Sequence, residues 1–251
     1  MIIQYYRPET LTEALTLISQ PKTYPLGGGI KLTQFSEEEY AVVDLQALGL
    51  NNIQQKGNAL DIGATSTLQS LLDSPHTPEA LKKAIQHEAS QNTRNSATIA
   101  GTLVASDGRS PFATMMMGLD AKVNLINSEK ETESIQLGDL LPLREEMLEN
   151  KLITQISIPT NISTAYEYVA RTKADKPIVC VALAQWAGGR TRLVIGGWGT
   201  SPALAMDGKG TEGTEAAAKN ACHDATDAWG SAQYRQDVAA TLAQRCLAQI
   251  A

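Results

Sequence analysis

Two short small-residue segments, about seventy residues apart, constrain this chain more than anything else in it. The first is Tyr24-Pro25-Leu26-Gly27-Gly28-Gly29-Ile30-Lys31-Leu32. The second is Asn92-Thr93-Arg94-Asn95-Ser96-Ala97-Thr98-Ile99-Ala100-Gly101-Thr102-Leu103. Each sets small residues between apolar flanks. Glycine lets backbone N–H groups converge on a ligand with no Cβ in the way. Converging amides, often at a helix start, are what a phosphate anion needs. Two such turns brought together would clamp a pyrophosphate from both sides. Either one alone reads as an ordinary tight turn, so the rest of the chain has to decide.

Composition narrows the choices. With 251 residues the chain can bury a real core, as one large or two modest domains. Net charge is -6, and Lys and Arg form no block, which argues against nucleic acid and anionic membrane as partners. With only two Phe, a base-stacking platform is not expected. The first residues, Met1-Ile2-Ile3-Gln4-Tyr5-Tyr6-Arg7-Pro8, lack the basic-then-apolar pattern of a signal peptide, and no apolar run is long enough to span a bilayer. A cytoplasmic location is the expectation. Cys180, Cys222 and Cys246 fit no metal or iron–sulfur spacing and read as small core residues. His76, His87 and His223 have no partner at ligand spacing. Any metal centre is therefore expected on another chain.

The pattern along the chain predicts an α+β protein. A first strand leads to a helix opened by the capping box Thr10-Leu11-Thr12-Glu13, with Leu11, Ala14, Leu15 and Ile18 on one face. Strands are predicted at 23–26 and 41–45, making a small βαβ unit that ends near Leu50. A hairpin turned at Gly57-Asn58 follows, then helices from about Ser66 and from Thr77-Pro78-Glu79. Residues 110–118 read as a short helix whose Met115-Met116-Met117 run is core filler. Strands are predicted at 121–126 and 152–158. The boundary is placed at 159–163, giving a first domain over 1–159 (subdomains about 1–50 and 51–159) and a second over 164–251. In the second, a three-stranded meander over 165–197 is covered by helices from about 211 to 228 and from about Ser231.

In this order the segments resemble the FAD-binding medium subunit of the molybdenum hydroxylases, the group of xanthine dehydrogenase and carbon monoxide dehydrogenase. The first segment stands where that family has A-G-G-[TH]-[DS]-L-[LI], the second where it has R-N-x-A-T-[IV]-G-G-[NS]-L. Asp61-Ile62-Gly63-Ala64-Thr65-Ser66-Thr67-Leu68, Leu152-Ile153-Thr154-Gln155-Ile156-Ser157-Ile158-Pro159, Tyr168-Val169-Ala170-Arg171-Thr172-Lys173-Ala174-Asp175 and Gly230-Ser231-Ala232-Gln233-Tyr234-Arg235 resemble further landmarks. The resemblance implies non-covalent FAD between the two parts of the first domain, with the second domain against the isoalloxazine end. It implies that Leu26, Gly27, Gly28, Gly29, Ile30, Lys31 and Leu32 hold the pyrophosphate from one side, and Thr98, Ile99, Ala100, Gly101 and Thr102 from the other. Asp107 and Pro111 fall near the place where the family has an Asp by the ring. Arg171, Lys173 and Asp175 fall where it brings a strand near the ring, and read equally as a solvated strand end.

This chain departs from the pattern at Ile30, Ala100 and Pro111. The implied role is an electron-transfer subunit, with iron–sulfur clusters on a small partner and molybdopterin on a large one. Two other readings stay open: a flavin-free structural or assembly subunit of the same fold, and a free-standing flavin oxidoreductase. The flavin would carry the redox chemistry, so no catalytic side chain is nominated.

Overall fold

The computed structural model describes residues 1–250. The chain opens with β1 (Ile2–Tyr6), α1 (Leu11–Ile18), β2 (Thr23–Leu26) and β3 (Tyr40–Asp44). The three strands form a parallel sheet in the order β1-β3-β2, the expected βαβ unit. Thr10 Oγ1 accepts from Glu13 N–H, while the Glu13 carboxylate accepts from Glu9 N–H rather than from Thr10 itself. Ala14, Leu15 and Ile18 are buried together with Val43, Leu45 and Leu152.

The middle of the chain is built on β4 (Ile53–Lys56), β5 (Ala59–Gly63), β6 (Lys122–Ile126), β7 (Thr132–Gln136) and β8 (Leu152–Pro159). They form a five-stranded antiparallel sheet in the order β4-β5-β8-β6-β7. Leu60, Ile62, Val123, Leu125, Ile156 and Ile158 alternate along their strands and share one buried face. Against them pack α2 (Leu68–Asp73), α3 (Glu79–Glu88), α5 (Ile99–Ala105) and α6 (Pro111–Gly118), while α4 (Gln91–Ser96) has no buried residue and lies beside α2. Two short helices, α7 (Leu137–Leu140) and α8 (Arg144–Met147), lead into β8. The cap of α2 is Thr67, one residue beyond the expected Ser66. Met115, Met116 and Met117 are all core residues, as expected.

The last part holds β9 (Ile162–Val169), β10 (Val179–Trp186), β11 (Arg190–Gly196), β12 (Ala203–Lys209), α9 (Thr214–Ala221) and α10 (Ala232–Ile250). Here two expectations are corrected. The antiparallel sheet has four strands, not three, in the order β12-β11-β10-β9. The extra strand, Ala-Leu-Ala-Met-Asp-Gly-Lys, is a half-buried edge with no clean alternation, held by its pairing to β11. The helix expected over 211–228 ends at Ala221. Beyond it, Asp227 Oδ1 accepts from the Trp229 and Gly230 amides and Thr226 Oγ1 from the Ala232 amide. Such side-chain acceptors offer the backbone an alternative to the helix.

One face of this sheet packs on α9 and α10 through Val179, Val181, Leu183, Leu193 and Ile195. The other face sends Tyr166, Cys180, Ala182 and Val194 into the core of the middle part. His87 ties the same junction, with Nδ1 3.1 Å from Tyr166 Oη and Nε2 3.0 Å from the Asp175 carbonyl, its ring stacked on Tyr168. All three cysteines are buried, and burial pushes each thiol up to about 12. No helix among the described residues is long and apolar enough to cross a membrane.

Candidate functional site

The two small-residue segments meet in space. A Cβ added to Gly27 would lie 2.5 Å from Thr98 Oγ1, and one added to Gly28 only 1.7 Å from the Ser96 carbonyl oxygen. Only glycine allows backbone to approach this closely. Gly29 has φ +76°, and the turn after it is closed by the Thr33 amide donating to the Gly29 carbonyl at 3.0 Å. Within this turn the amides of Gly27, Gly28, Gly29, Ile30, Lys31 and Leu32 donate to no group of the chain among the described residues. A row of unspent donors beside the exposed Lys31 is the arrangement an anion needs.

The second segment behaves differently. It is the start of α5, not an open loop, and its amides are used inside the protein. Ile99 N–H donates to the Ser66 carbonyl at 2.8 Å and Ala100 N–H to the Ala64 carbonyl at 3.1 Å. Gly101 N–H donates to Thr98 Oγ1 at 3.2 Å and Thr102 N–H to the Thr98 carbonyl at 2.8 Å. The expected two-sided clamp of amides is therefore one-sided. The first segment supplies donors, and the second supplies a small-residue wall.

Two cavities flank this junction. The larger, about 890 Å³, lies between the βαβ unit and the middle part and takes in Gly27, Lys31, Thr65, Ala100 and Arg144. The smaller, about 310 Å³, takes in Gly28, Ile30, Lys31, Thr98, Gly101 and Thr102, with Glu88 and Lys176. Lys31 belongs to both. Thr65 is buried and its Oγ1 has no hydrogen-bond partner. A ligand with two ring systems joined by a pyrophosphate matches this plan of two cavities joined by an amide-lined turn.

The other expected residues stand apart from both cavities. Leu26 ends β2, and its carbonyl accepts from the Leu45 amide. The Leu32 carbonyl accepts from Tyr40 Oη. Ile99 is a core residue. Pro111 is the first residue of α6 and is buried, because its ring fits a helix start where no amide is required. Asp107 binds Lys176 Nζ with both oxygens, at 3.1 and 3.0 Å. Arg171 pairs with Asp175 at 3.3 Å and lies over the Trp229 ring, so from the C-terminal part it is Lys176 that reaches the smaller cavity, beside Lys31. Sequence reasoning missed Glu88, which carries no local signal beyond ending an amphipathic helix.

The structure separates two substitutions that look equivalent in the sequence. Gly28 is walled in by backbone, whereas a Cβ on Gly101 would meet only Thr98 Oγ1, at 2.7 Å. Gly101→Asp is therefore expected to disturb one helix cap, worth about 1 kcal/mol, while placing a carboxylate in the smaller cavity. Like charges near 4 Å repel by about 1 to 4 kcal/mol between bulk water and a protein surface. A pyrophosphate ligand should bind about tenfold more weakly or worse. Titration of the variant with FAD, beside a melting curve, measures both effects.

Fold and site together define a two-cavity, dinucleotide-type binding protein with a C-terminal sheet-and-helix unit. The chain belongs to the family described as the FAD binding domain in molybdopterin dehydrogenase, whose pattern matches residues 1–161. It is 30% identical over 252 residues to the uncharacterized protein YgfM of Escherichia coli (strain K12), covering 96% of this chain and 94% of that one. It is 25% identical over 276 residues to the nicotine 6-hydroxylase medium subunit of Paenarthrobacter nicotinovorans, covering 98% and 96%. Its fold is that of a chain in the reconstituted CO dehydrogenase from Oligotropha carboxidovorans, with TM-score 0.79, 22% identity, and 98% and 96% of the chains covered.

Proposed function

We propose that this chain binds one FAD without a covalent link and acts as the electron-transfer subunit of a molybdenum hydroxylase-type complex. The observation that carries the reading is the row of unspent amides at 27–32, shared between two cavities. The pyrophosphate rests on Gly27, Gly28, Gly29, Ile30 and Lys31, against the wall formed by Thr98, Ala100, Gly101 and Thr102. The adenosine half takes the larger cavity and the flavin ring the smaller, which Lys176 of the C-terminal part also lines. The functional division is 1–159 for the FAD-binding part and 164–251 for the remainder. When bound, FAD supplies one- and two-electron chemistry; the chain positions it and sets its surroundings. No cluster of His, Cys, Asp and Glu able to hold a metal exists among the described residues. Iron–sulfur clusters and molybdopterin are accordingly assigned to separate small and large partners. Substrate would be hydroxylated on the large one, and electrons would leave through FAD to an external acceptor.

Native purification from the source cell tests this. The expected product is yellow, releases one FAD per chain on denaturation, and carries iron and molybdenum on companion chains. A folded, colourless protein that takes up no added FAD would support the flavin-free structural reading instead. A flavin-loaded chain that never has metal-bearing companions would leave the free-standing oxidoreductase.

A further inference from the structure

Glu88 is the last residue of α3 and is half-buried. Its Oε2 accepts from Ser110 Oγ at 2.6 Å and from the Phe112 amide at 3.0 Å, so it caps α6 from a neighbouring helix. Capping alone does not require an acid there. Ser110 already accepts from the Ala113 amide at 3.0 Å. A carboxylate at the C-terminus of α3 is also opposed by that helix's own dipole. Burial pushes the Glu88 carboxyl above its ordinary range, against the pull of Ser110, the Phe112 amide and the Lys176 charge. The second oxygen, Oε1, accepts no hydrogen bond among the described residues, and it is not among the side-chain atoms sealed off without a partner. Glu88 lines the smaller cavity together with Lys176, whose ammonium is held by Asp107 at 3.0 Å.

We propose that Glu88 and Lys176 form the polar edge that recognises the flavin ring, a role that rests on the FAD reading above. An isoalloxazine presents one imide N–H between two carbonyl oxygens. A carboxylate oxygen accepts from that N–H, and an ammonium donates to an adjacent carbonyl. The pair thus matches the imide edge donor for acceptor. It also places a negative charge beside the ring from α3, not from the 106–111 segment where the sequence pattern seeks one.

The test uses Glu88→Gln and Lys176→Met in the full chain, each loaded with FAD. Glutamine keeps an oxygen for Ser110 and the Phe112 amide but turns an NH2 toward the ring. FAD should bind Glu88→Gln about tenfold more weakly, the scale of a lost hydrogen bond to a charged group. Its flavin absorption bands should shift. Its midpoint potential should rise, because a negative charge beside the ring disfavours the reduced form. Lys176 is half-exposed, so its loss spares the fold; Lys176→Met should weaken FAD binding and lower the potential. If Glu88→Gln fails to fold, Lys176→Met alone decides. Wild-type affinity, spectrum and potential in the folded variants would overturn this role while leaving FAD binding intact. A wild-type chain that binds no FAD would instead overturn the reading beneath it.

Discussion

Replacing Gly28 by alanine is expected to cost the protein its flavin. The added methyl would stand 1.7 Å from the Ser96 carbonyl oxygen, 2.6 Å from its carbon and 3.2 Å from Ala97 Cα. All three are backbone atoms, so no side chain can swing aside. Either the turn at 27–32 lifts away or the segment at 96–98 retreats. The retreat is resisted, because the Leu68 amide donates to the Ala97 carbonyl and the Ile99 amide to the Ser66 carbonyl. The turn at 27–32 lacks comparable ties: its own amides are unbonded among the described residues, and Gln46 Nε2 donating to the Gly27 carbonyl is one of its few anchors. The turn should therefore move, and the aligned amides disperse with it. Overpacking of this kind costs about 1–3 kcal/mol, too little to unfold a chain of this size, while losing several charge-assisted bonds to a pyrophosphate weakens FAD by about a hundredfold or more. The measurement is FAD affinity against melting temperature of the FAD-free protein. Unchanged affinity with a normal melt would remove the turn from the site.

Much of this was legible before any coordinates, for local reasons. The capping box at Thr10, the hairpin turn at Gly57-Asn58 and the β-branched, partly alternating segment from Leu152 to Ile158 each specify their own structure within a few residues. The edge strand β12 was hidden because its residues favour no strand alone and take their conformation from β11. The early end of α9 depends on Thr226 and Asp227 bonding backbone amides up to six residues away. In the site, both small-residue segments stood out, but their division of labour did not. Whether the amides at 99 and 100 remain free is decided by the carbonyls of Ser66 and Ala64, 33 and 36 residues upstream, which no local pattern reports. Glu88 was invisible for the same reason: its partners Ser110 and Phe112 come from another helix.

The resemblance at Gly230-Ser231-Ala232-Gln233-Tyr234-Arg235 turns out to mark a structural clasp, and breaking it should give the largest loss of stability. Arg235 is fully buried. Its Nε donates to the Ile178 carbonyl at 3.1 Å, and Nη1 to the Gly230 carbonyl at 3.0 Å and to the Ala225 carbonyl. Its Nη2 donates to the Gly197 carbonyl at 3.3 Å and to Asp227 Oδ1 at 2.7 Å. One guanidinium thus joins the start of β10, the end of β11 and the turns before α10. Gly197 must be glycine beside it, since its φ is +132° and a Cβ would stand 2.1 Å from the Ile178 carbonyl oxygen. Arg235→Met would fill similar volume but leave these carbonyls without donors and Asp227 without its cation. Asp227 is solvent-exposed, so the loss comes mainly from the carbonyls: each buried acceptor left unsatisfied costs about 1–3 kcal/mol, and several together lower the melting temperature of a chain of this length by on the order of 10 °C. The clasp also has a pH signature. Burial pushes the Asp227 carboxyl up, but Arg235 and the Trp229 amide outweigh it and hold the group below its usual value. An acid depressed in the folded state stabilises above its unfolded pKa of about 3.9 and loses that contribution as pH falls through the lower folded value. The gap between wild type and Arg235→Met should therefore be full at neutral pH and narrow below about pH 4. Melting curves of both proteins from neutral to acid pH check this; equal stability at neutral pH would mean that Arg235 clasps nothing.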